Sequence, residues 1–245
     1  MQLDAASLIG AALAVALAAV VQLTAGFGFG LTAVPLLSIA VGAHDAVVVA
    51  LFLATFTNAF QAWSGRRATD RPVALRLLAG AVVGLPVGLL VYQLVDDRVL
   101  RVVIGCSVLV AVVVIALGLD LRHAGPGLDA VGGALAGALT MSSGVNGPPL
   151  VFVLQARHFD QHRFRATVTT VFVVLDIVGV VVFAATGDLD RDVLVTVAAT
   201  LPGLAIGAVI GVALRRHLDP GRFRALVLVL LVVAGGSTLI AAIRG

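Results

Sequence analysis

Long, nearly uncharged apolar runs decide what this chain can fold into. Crossing the roughly 30 Å of hydrocarbon in a bilayer takes about 20 apolar residues in a helix. Ala6–Leu23, Ala46–Trp63, Val73–Leu94, Val99–Leu119, Ala166–Ala185, Val193–Leu214 and Phe223–Ile243 reach or approach that length. A soluble core has no use for so much apolar surface: hydrophobic residues make up 60% of the 245 and charged residues 12%, against about 25% charged in a soluble domain. Lipid offers the backbone no hydrogen-bond partners, so such segments satisfy their own amides as helices. Three shorter runs, Leu31–Val41, Leu128–Met141 and Pro149–Gln155, complete ten helical segments and leave no room for a soluble domain. The expected fold class is all-α integral membrane.

Each short run adjoins a Gly/Pro-rich break. The first is Gly26-Phe27-Gly28-Phe29-Gly30 and the second runs from Ser142 to Pro149. Irregular backbone at membrane depth is tolerated only where protein or a watery cavity satisfies it. The breaks hold matching places in two halves: a shift of 118 puts Gly26 on Gly144 and Asn58 on Asp176. A shift of 123 puts Gly80, Gly84 and Gly88 on Gly203, Gly207 and Gly211, and Asp96 and Arg101 on Asp219 and Arg224. Small residues at that spacing also suit any closely packed helix pair, but the ordered matches point to two repeats, 1–122 and 123–245.

Charge supplies the orientation. The net charge of +3 and pI near 10.4 would suit nucleic acid, yet the basic residues sit in short connectors and form no basic face with aromatic platforms. All 16 cations are Arg and all 13 anions Asp. Arg-rich short loops stay in the cytoplasm, which puts the connectors near 67 (Arg66, Arg67, Arg71), 160 (Arg157, Arg163, Arg165) and 218 (Arg215, Arg216, Arg222, Arg224) inside. The connectors at Asp96-Asp97 and Asp188–Asp192 are left outside, with both termini periplasmic. Equivalent loops then face opposite ways, so the repeats are inverted. Inverted repeats with interrupted helices are the architecture of secondary transporters, whose site lies near the midplane. Asp4 stands where a signal peptide carries positive charge, so the first run is expected to be a retained helix.

The stretch Gly26-Phe27-Gly28-Phe29-Gly30-Leu31-Thr32-Ala33-Val34-Pro35, with Ser143-Gly144-Val145-Asn146-Gly147-Pro148-Pro149, resembles the TauE/SafE family of sulfite exporters, over nearly the whole chain. The resemblance implies a bacterial inner-membrane transporter of sulfur-containing anions such as sulfite or organosulfonates. The residues reach an anion on their own terms. A helix N-terminus carries roughly half a positive charge and unpaired amides, and two of them converging across the repeat would hold an anion without a buried Arg, none lying deep in a predicted span. Pro149 suits a first-turn position, Ser143 or Asn146 suits a cap, and glycine lets backbone approach a ligand.

The candidate substrate-binding set is therefore Gly26, Gly28, Gly30, Asn58, Ser143, Asn146, Gly147 and Pro148. Taken singly, each glycine is as well explained by tight packing. Asp176 is the only acid well inside a predicted span, where charge costs about 2.5–3.5 kcal/mol, and it is the candidate for proton coupling; a hydrogen-bonded carboxyl serving helix packing is its plain alternative. Gln22 and Gln61 are weaker candidates. His44, His123, His158, His162 and His217 fall in connectors with no metal-ligand spacing, Trp63 suits an interfacial belt, and Cys106 reads as a buried thiol. No cofactor, metal or nucleic acid is implied, and the partners are the anion and lipid.

An intramembrane protease would need a His at depth beside Ser142 or Ser143, or a second buried Asp beside Asp176, so catalysis is not expected. An anion channel and a non-transporting assembly subunit are the alternatives to a transporter. The orientation is testable by labelling: in a Cys106→Ser background, Arg67→Cys should react with an impermeant maleimide only after permeabilisation. Labelling from outside intact cells would reverse the topology and remove the basis for inverted repeats.

Overall fold

A computed structural model describes residues 5–117, 126–157, 159–215 and 220–244. Its elements are α1 (Ala5–Ala25), α2 (Phe29–Val41), α3 (Ala43–Gly65), α4 (Arg71–Leu94), α5 (Asp97–Leu117), α6 (Pro126–Ser143), α7 (Gly147–Ala156), α8 (Gln161–Thr186), α9 (Arg191–Leu214) and α10 (Pro220–Arg244). Within the described residues all ten apolar runs are helical. Among the described residues there is no strand, and six helical stretches are long and apolar enough to cross a membrane: Ser7–Ala25, Ala43–Gly65, Arg71–Leu94, Gln161–Thr186, Arg191–Leu214 and Ala225–Ile243. The 122/123 division, His123, His158, His217, Arg216 and Asp219 lie outside the described residues.

The helices extend a few residues beyond the apolar runs because polar residues begin them. Asp70, Asp160 and Asp190 are N-caps of α4, α8 and α9, each accepting a backbone N–H from the first turn. Such a cap satisfies a donor that has no partner within the helix. Gly187 ends α8 in the left-handed region at φ 88°, a conformation glycine adopts without a Cβ penalty. Large apolar side chains such as Ile9, Val82, Val83, Val209 and Leu226 stay exposed. On a chain of this composition they form the lipid-facing coat.

Helix pairing follows the small residues. α4 packs along α6, α1 along α9, α3 along α8 and α5 along α10. On α4, a Cβ at Gly80, Gly84 or Gly88 would overlap the carbonyl oxygen of Ala130, Ala134 or Ala138 of α6. Gly133 and Gly137 of α6 meet Leu77 and Ala81 of α4 in the same way. On α9, Gly203 and Gly207 abut the carbonyls of Ala12 and Ala16, and Gly211 meets Val20. Lipid gives helices no hydrophobic reason to associate, so this backbone proximity, with its dispersion and weak polar contacts, is what joins them.

Two expectations need correction. Cys106 is exposed rather than buried, because α5 turns Leu100, Ile104, Val108 and Ala111 inward and residue 106 lies off that stripe. His44 is no solvated connector residue: it stands in the first turn of α3, with Nδ1 3.1 Å from Asp97 Oδ1 and Nε2 3.1 Å from the Tyr92 carbonyl oxygen. Asp176 is the acid well inside its helix, and a second buried carboxyl stands at a helix start: Asp129, in the first turn of α6, is 0% exposed between Arg76 and Arg157. Two arginines from α4 and the end of α7 make its burial tolerable.

Gly84→Ala should destabilise the protein by at least about 1–3 kcal/mol, the usual cost of overpacking. Gly236→Ala, where a Cβ meets nothing within 4 Å, should be neutral or gain about 0.5–1 kcal/mol from helix propensity. Thermal unfolding in detergent compares them; equal melting temperatures would deny the α4–α6 contact its role.

Candidate functional site

The two breaks meet inside the bundle. α1 stops at Ala25 and α2 starts at Phe29; α6 stops at Ser143 and α7 starts at Gly147, so each break is three residues long. Gly26, Gly28 and Gly144 hold φ of 94°, 105° and 65°, values that explain glycine at the turning points. Gly30 lies against the Gly144 carbonyl so closely that a Cβ would overlap it. The N-terminus of α2 therefore sits directly on the second break.

Side chains then satisfy what the breaks expose. Gln22, in the last turn of α1, accepts the Phe29 N–H on Oε1 at 3.0 Å and donates from Nε2 to Asn58 Oδ1 at 2.6 Å. Asn58 on α3 donates from Nδ2 to Asp176 Oδ2 on α8 at 2.7 Å. Asn146 in the second break lies beside the same carboxyl group. Gln61 donates from Nε2 to the Gln22 carbonyl at 3.3 Å. A continuous polar line thus runs from one break, through two helices, to the other. Gln22, Asn58 and Asp176 are all buried.

This line edges a cavity walled by Gln22, Gly28, Gly30, Asn58, Asn146, Gly147 and Asp176, with Phe29, Leu51 and Phe172 as apolar lining. Its volume is about 10 Å³, the room of roughly one water. The two helix N-termini contribute unequally. Gly28 caps α2 with no side-chain acceptor of its own, leaving first-turn amides for other partners, one of which is Gln22. On α7, Pro148 and Pro149 follow Gly147 and carry no N–H, so Gly147 and Leu150 are the donors left in its first turn. Thr32 Oγ1, in the first turn of α2, is the one buried hydroxyl without a protein partner among the described residues.

Of the residues singled out from the sequence, Gly28, Gly30, Asn58, Asn146, Gly147, Asp176 and Gln22 share the cavity wall. Gly26, Ser143 and Pro148 are not on it. Ser143 Oγ donates to the Leu139 carbonyl one turn back at 3.1 Å, and Gly26 faces Arg165 instead of the cavity. Gln61 stands one layer away, in a second pocket with Ser64, His162, Arg165 and Arg215.

Arg165 is the residue that the sequence reading missed. The apolar run beginning at Ala166 leaves no cation at depth, but α8 begins at Gln161 and Arg165 is 7% exposed. Its Nε donates to the Ala25 carbonyl at 3.2 Å and its Nη2 to the Thr24 carbonyl, so it caps the C-terminus of α1 at the first break. The available signal was its spacing of five residues from the capping Asp160, which sets Arg165 in the second turn of the helix and not in a loop. His162 likewise belongs to the first turn of α8.

Ends of helices sort by charge. At one end Asp70 receives the Arg163 guanidinium, and Thr167 Oγ1 accepts the Asp70 N–H at 3.0 Å, joining the connectors near 67 and 160. The Val73 amide and the Arg163 cation outweigh the desolvation of Asp70 and hold its carboxyl below the ordinary range. At the other end Asp45, Asp97, Asp190 and Asp192 face one another.

Residues 11–238 match the family model described as Sulfite exporter TauE/SafE. A protein of Cupriavidus necator named as a probable sulfite/organosulfonate exporter TauE is 27% identical over 91% of this chain and 90% of its own length. A Comamonas testosteroni protein named as a probable inner membrane transporter protein, TsaS, is 30% identical over 65% of this chain and 68% of its own. No solved structure matches.

Removal of the Gln22 carboxamide leaves the Phe29 N–H and the Asn58 carbonyl without their partner. Gln22→Ala should therefore cost about 1–3 kcal/mol of stability, the penalty for an unsatisfied buried group. Gln61→Ala should cost about 1 kcal/mol or less, the worth of one ordinary hydrogen bond. Unfolding in detergent reads both, and an unchanged Gln22→Ala midpoint would mean water replaces the side chain.

Proposed function

Since the chain belongs to the TauE/SafE sulfite exporter family, we propose that it is a secondary transporter, moving a small sulfur-containing anion such as sulfite or an organosulfonate out across the bacterial inner membrane. The substrate is held in the cavity between the two breaks. The observation that carries this reading is the meeting of two helix N-termini and three amide side chains around one buried space. Oriented amides and N-terminal dipoles attract an anion, and their neutrality suits one that must be released.

The cavity is too small for sulfite as it stands, so the conformation described is a closed one. Opening requires the breaks to part at the Gly30–Gly144 contact. Two inverted repeats, 1–122 and 123–245, supply a means. Exchange of the halves maps the α4–α6 pairing onto α9–α1 and leaves α3–α8 and α5–α10 in place. Asn58 and Asp176, related by the shift of 118, meet each other at 2.7 Å, as equivalent residues do beside a two-fold axis. Rocking of one repeat against the other about that axis gives alternating access. The Arg-rich connectors near 67 and 160 meet at one end of the bundle and Asp45 has Asp97, Asp190 and Asp192 near it at the other, which supports the proposed sidedness with the Arg end inside.

Asp176 links the anion to a proton. An ionised carboxylate on the cavity wall repels an anion, whereas a protonated one donates a hydrogen bond to it. Proton and anion therefore favour each other's binding, a coupling that is necessarily reciprocal, and the pair crosses together or in compensated steps.

Reconstituted protein tests each part. Asp176→Asn should still bind anion and move it down its own gradient, but should no longer accumulate it along an imposed pH gradient; unaltered accumulation would remove the proton role. Asn146→Ala should weaken sulfite and sulfonate binding by about 1.5–3 kcal/mol, the worth of a charge-assisted hydrogen bond. Gly28→Leu and Gly147→Leu should abolish it, the first also straining a backbone at φ 105°. Wild-type anion affinity by calorimetry in well-folded forms of these two variants would put the site elsewhere.

A further inference from the structure

Arg165 and Arg215 face one pocket without an acidic partner among the described residues. The contrast with their neighbours is sharp: Arg163 pairs with Asp70, and Arg76 and Arg157 pair with Asp129. Arg165 is buried, and the two α1 carbonyls that it caps supply only a helix C-terminal dipole, about half a negative charge. Arg215, where α9 ends, lies near enough to act on Arg165 as a second positive charge. Two like charges, one of them buried, are costly unless a counter-ion joins them.

The space for that counter-ion is present. Arg165, Arg215, His162, Gln61 and Ser64 line a pocket of about 220 Å³, well over the volume of a small oxyanion. It lies at the end of the bundle that carries the Arg-rich connectors. A hydrogen bond joins its wall to that of the central cavity: Gln61 lines the pocket, Gln22 lines the cavity, and Gln61 Nε2 donates to the Gln22 carbonyl at 3.3 Å.

We propose that the Arg165–Arg215 pocket is a second anion-binding site, a vestibule that collects the oxyanion before it passes the glutamine layer to the central cavity. It rests on the function proposed above for the chemistry of its ligand, a sulfite or sulfonate group, but not for its existence. The guanidiniums bind two oxygens of the anion, with Ser64 and Gln61 as neutral donors. At the opposite end Asp97 already occupies Arg101 and His44, so the vestibule is assigned to the Arg165 side.

The experiment is calorimetric titration of the full chain with methanesulfonate, in nanodiscs of phosphatidylcholine. Wild type should take up two equivalents. Arg215→Gln, an exposed position at a helix end, and Arg165→Gln should each lose the same equivalent, with affinity there falling at least about ten-fold for a lost charge-assisted bond. In proteoliposomes the half-saturating anion concentration on the Arg side should rise similarly, while the maximal rate holds. Gly147→Leu should lose the other equivalent. Two equivalents retained in Arg215→Gln would overturn the vestibule, even if Arg165→Gln failed to fold. Loss of the Arg-dependent equivalent when phosphatidylglycerol replaces phosphatidylcholine would also overturn it, by making lipid phosphate the occupant. Two equivalents retained in Gly147→Leu, with one lost in Arg215→Gln, would instead remove the central site and leave the vestibule standing.

Discussion

Everything near the centre of this protein depends on backbone groups that would otherwise be stranded where its helices stop inside the apolar bundle. An unpaired amide or carbonyl there costs several kcal/mol, and the chain answers each exposed group specifically. The Gln22 side chain folds over the break to take the Phe29 N–H. Arg165 takes the last carbonyls of α1. Gly28 gives α2 no side-chain cap, and the anion binding proposed above draws on the donors left over.

Glycine makes the geometry possible in two separate ways. At Gly26, Gly28 and Gly144 it permits positive φ at the turning points. At Gly30, Gly84 and Gly207 it removes a Cβ so that backbones touch. The first use creates the breaks; the second presses α4 on α6 and α9 on α1, framing the breaks with rigid pairs. A transporter needs both, since a site that opens must be flexible at the hinge and stiff on either side of it.

Charge distinguishes positions within this frame. The central pair is itself unequal, because Asn58 cannot titrate and Asp176 can. The ends differ more: guanidiniums gather where α3 ends and α8 begins, and carboxylates where α3 begins and α8 ends. On the function proposed above, such a difference suits export when the basic end faces inward.

The sequence alone determined the helices, the positions of both breaks and most of the cavity wall. Those follow from local rules: apolar run length, the absence of charge, and clustered Gly/Pro residues, whereas the single Pro35, Pro86 and Pro202 stay inside helices. Seven of its candidate residues meet in the cavity because breaks and lone polar residues in lipid-spanning helices have few places to go. Only the tertiary structure decided the partners. That Gln22 closes the line to Asn58 and Asp176, that Ser143 turns back on its own helix, that Asp129 is buried by two arginines, and that Arg165 reaches the end of α1 are contacts between residues 28 to 140 apart in several cases. Composition and periodicity report which face of a helix is polar, whereas the identity of the group across from it is set by how ten helices pack together.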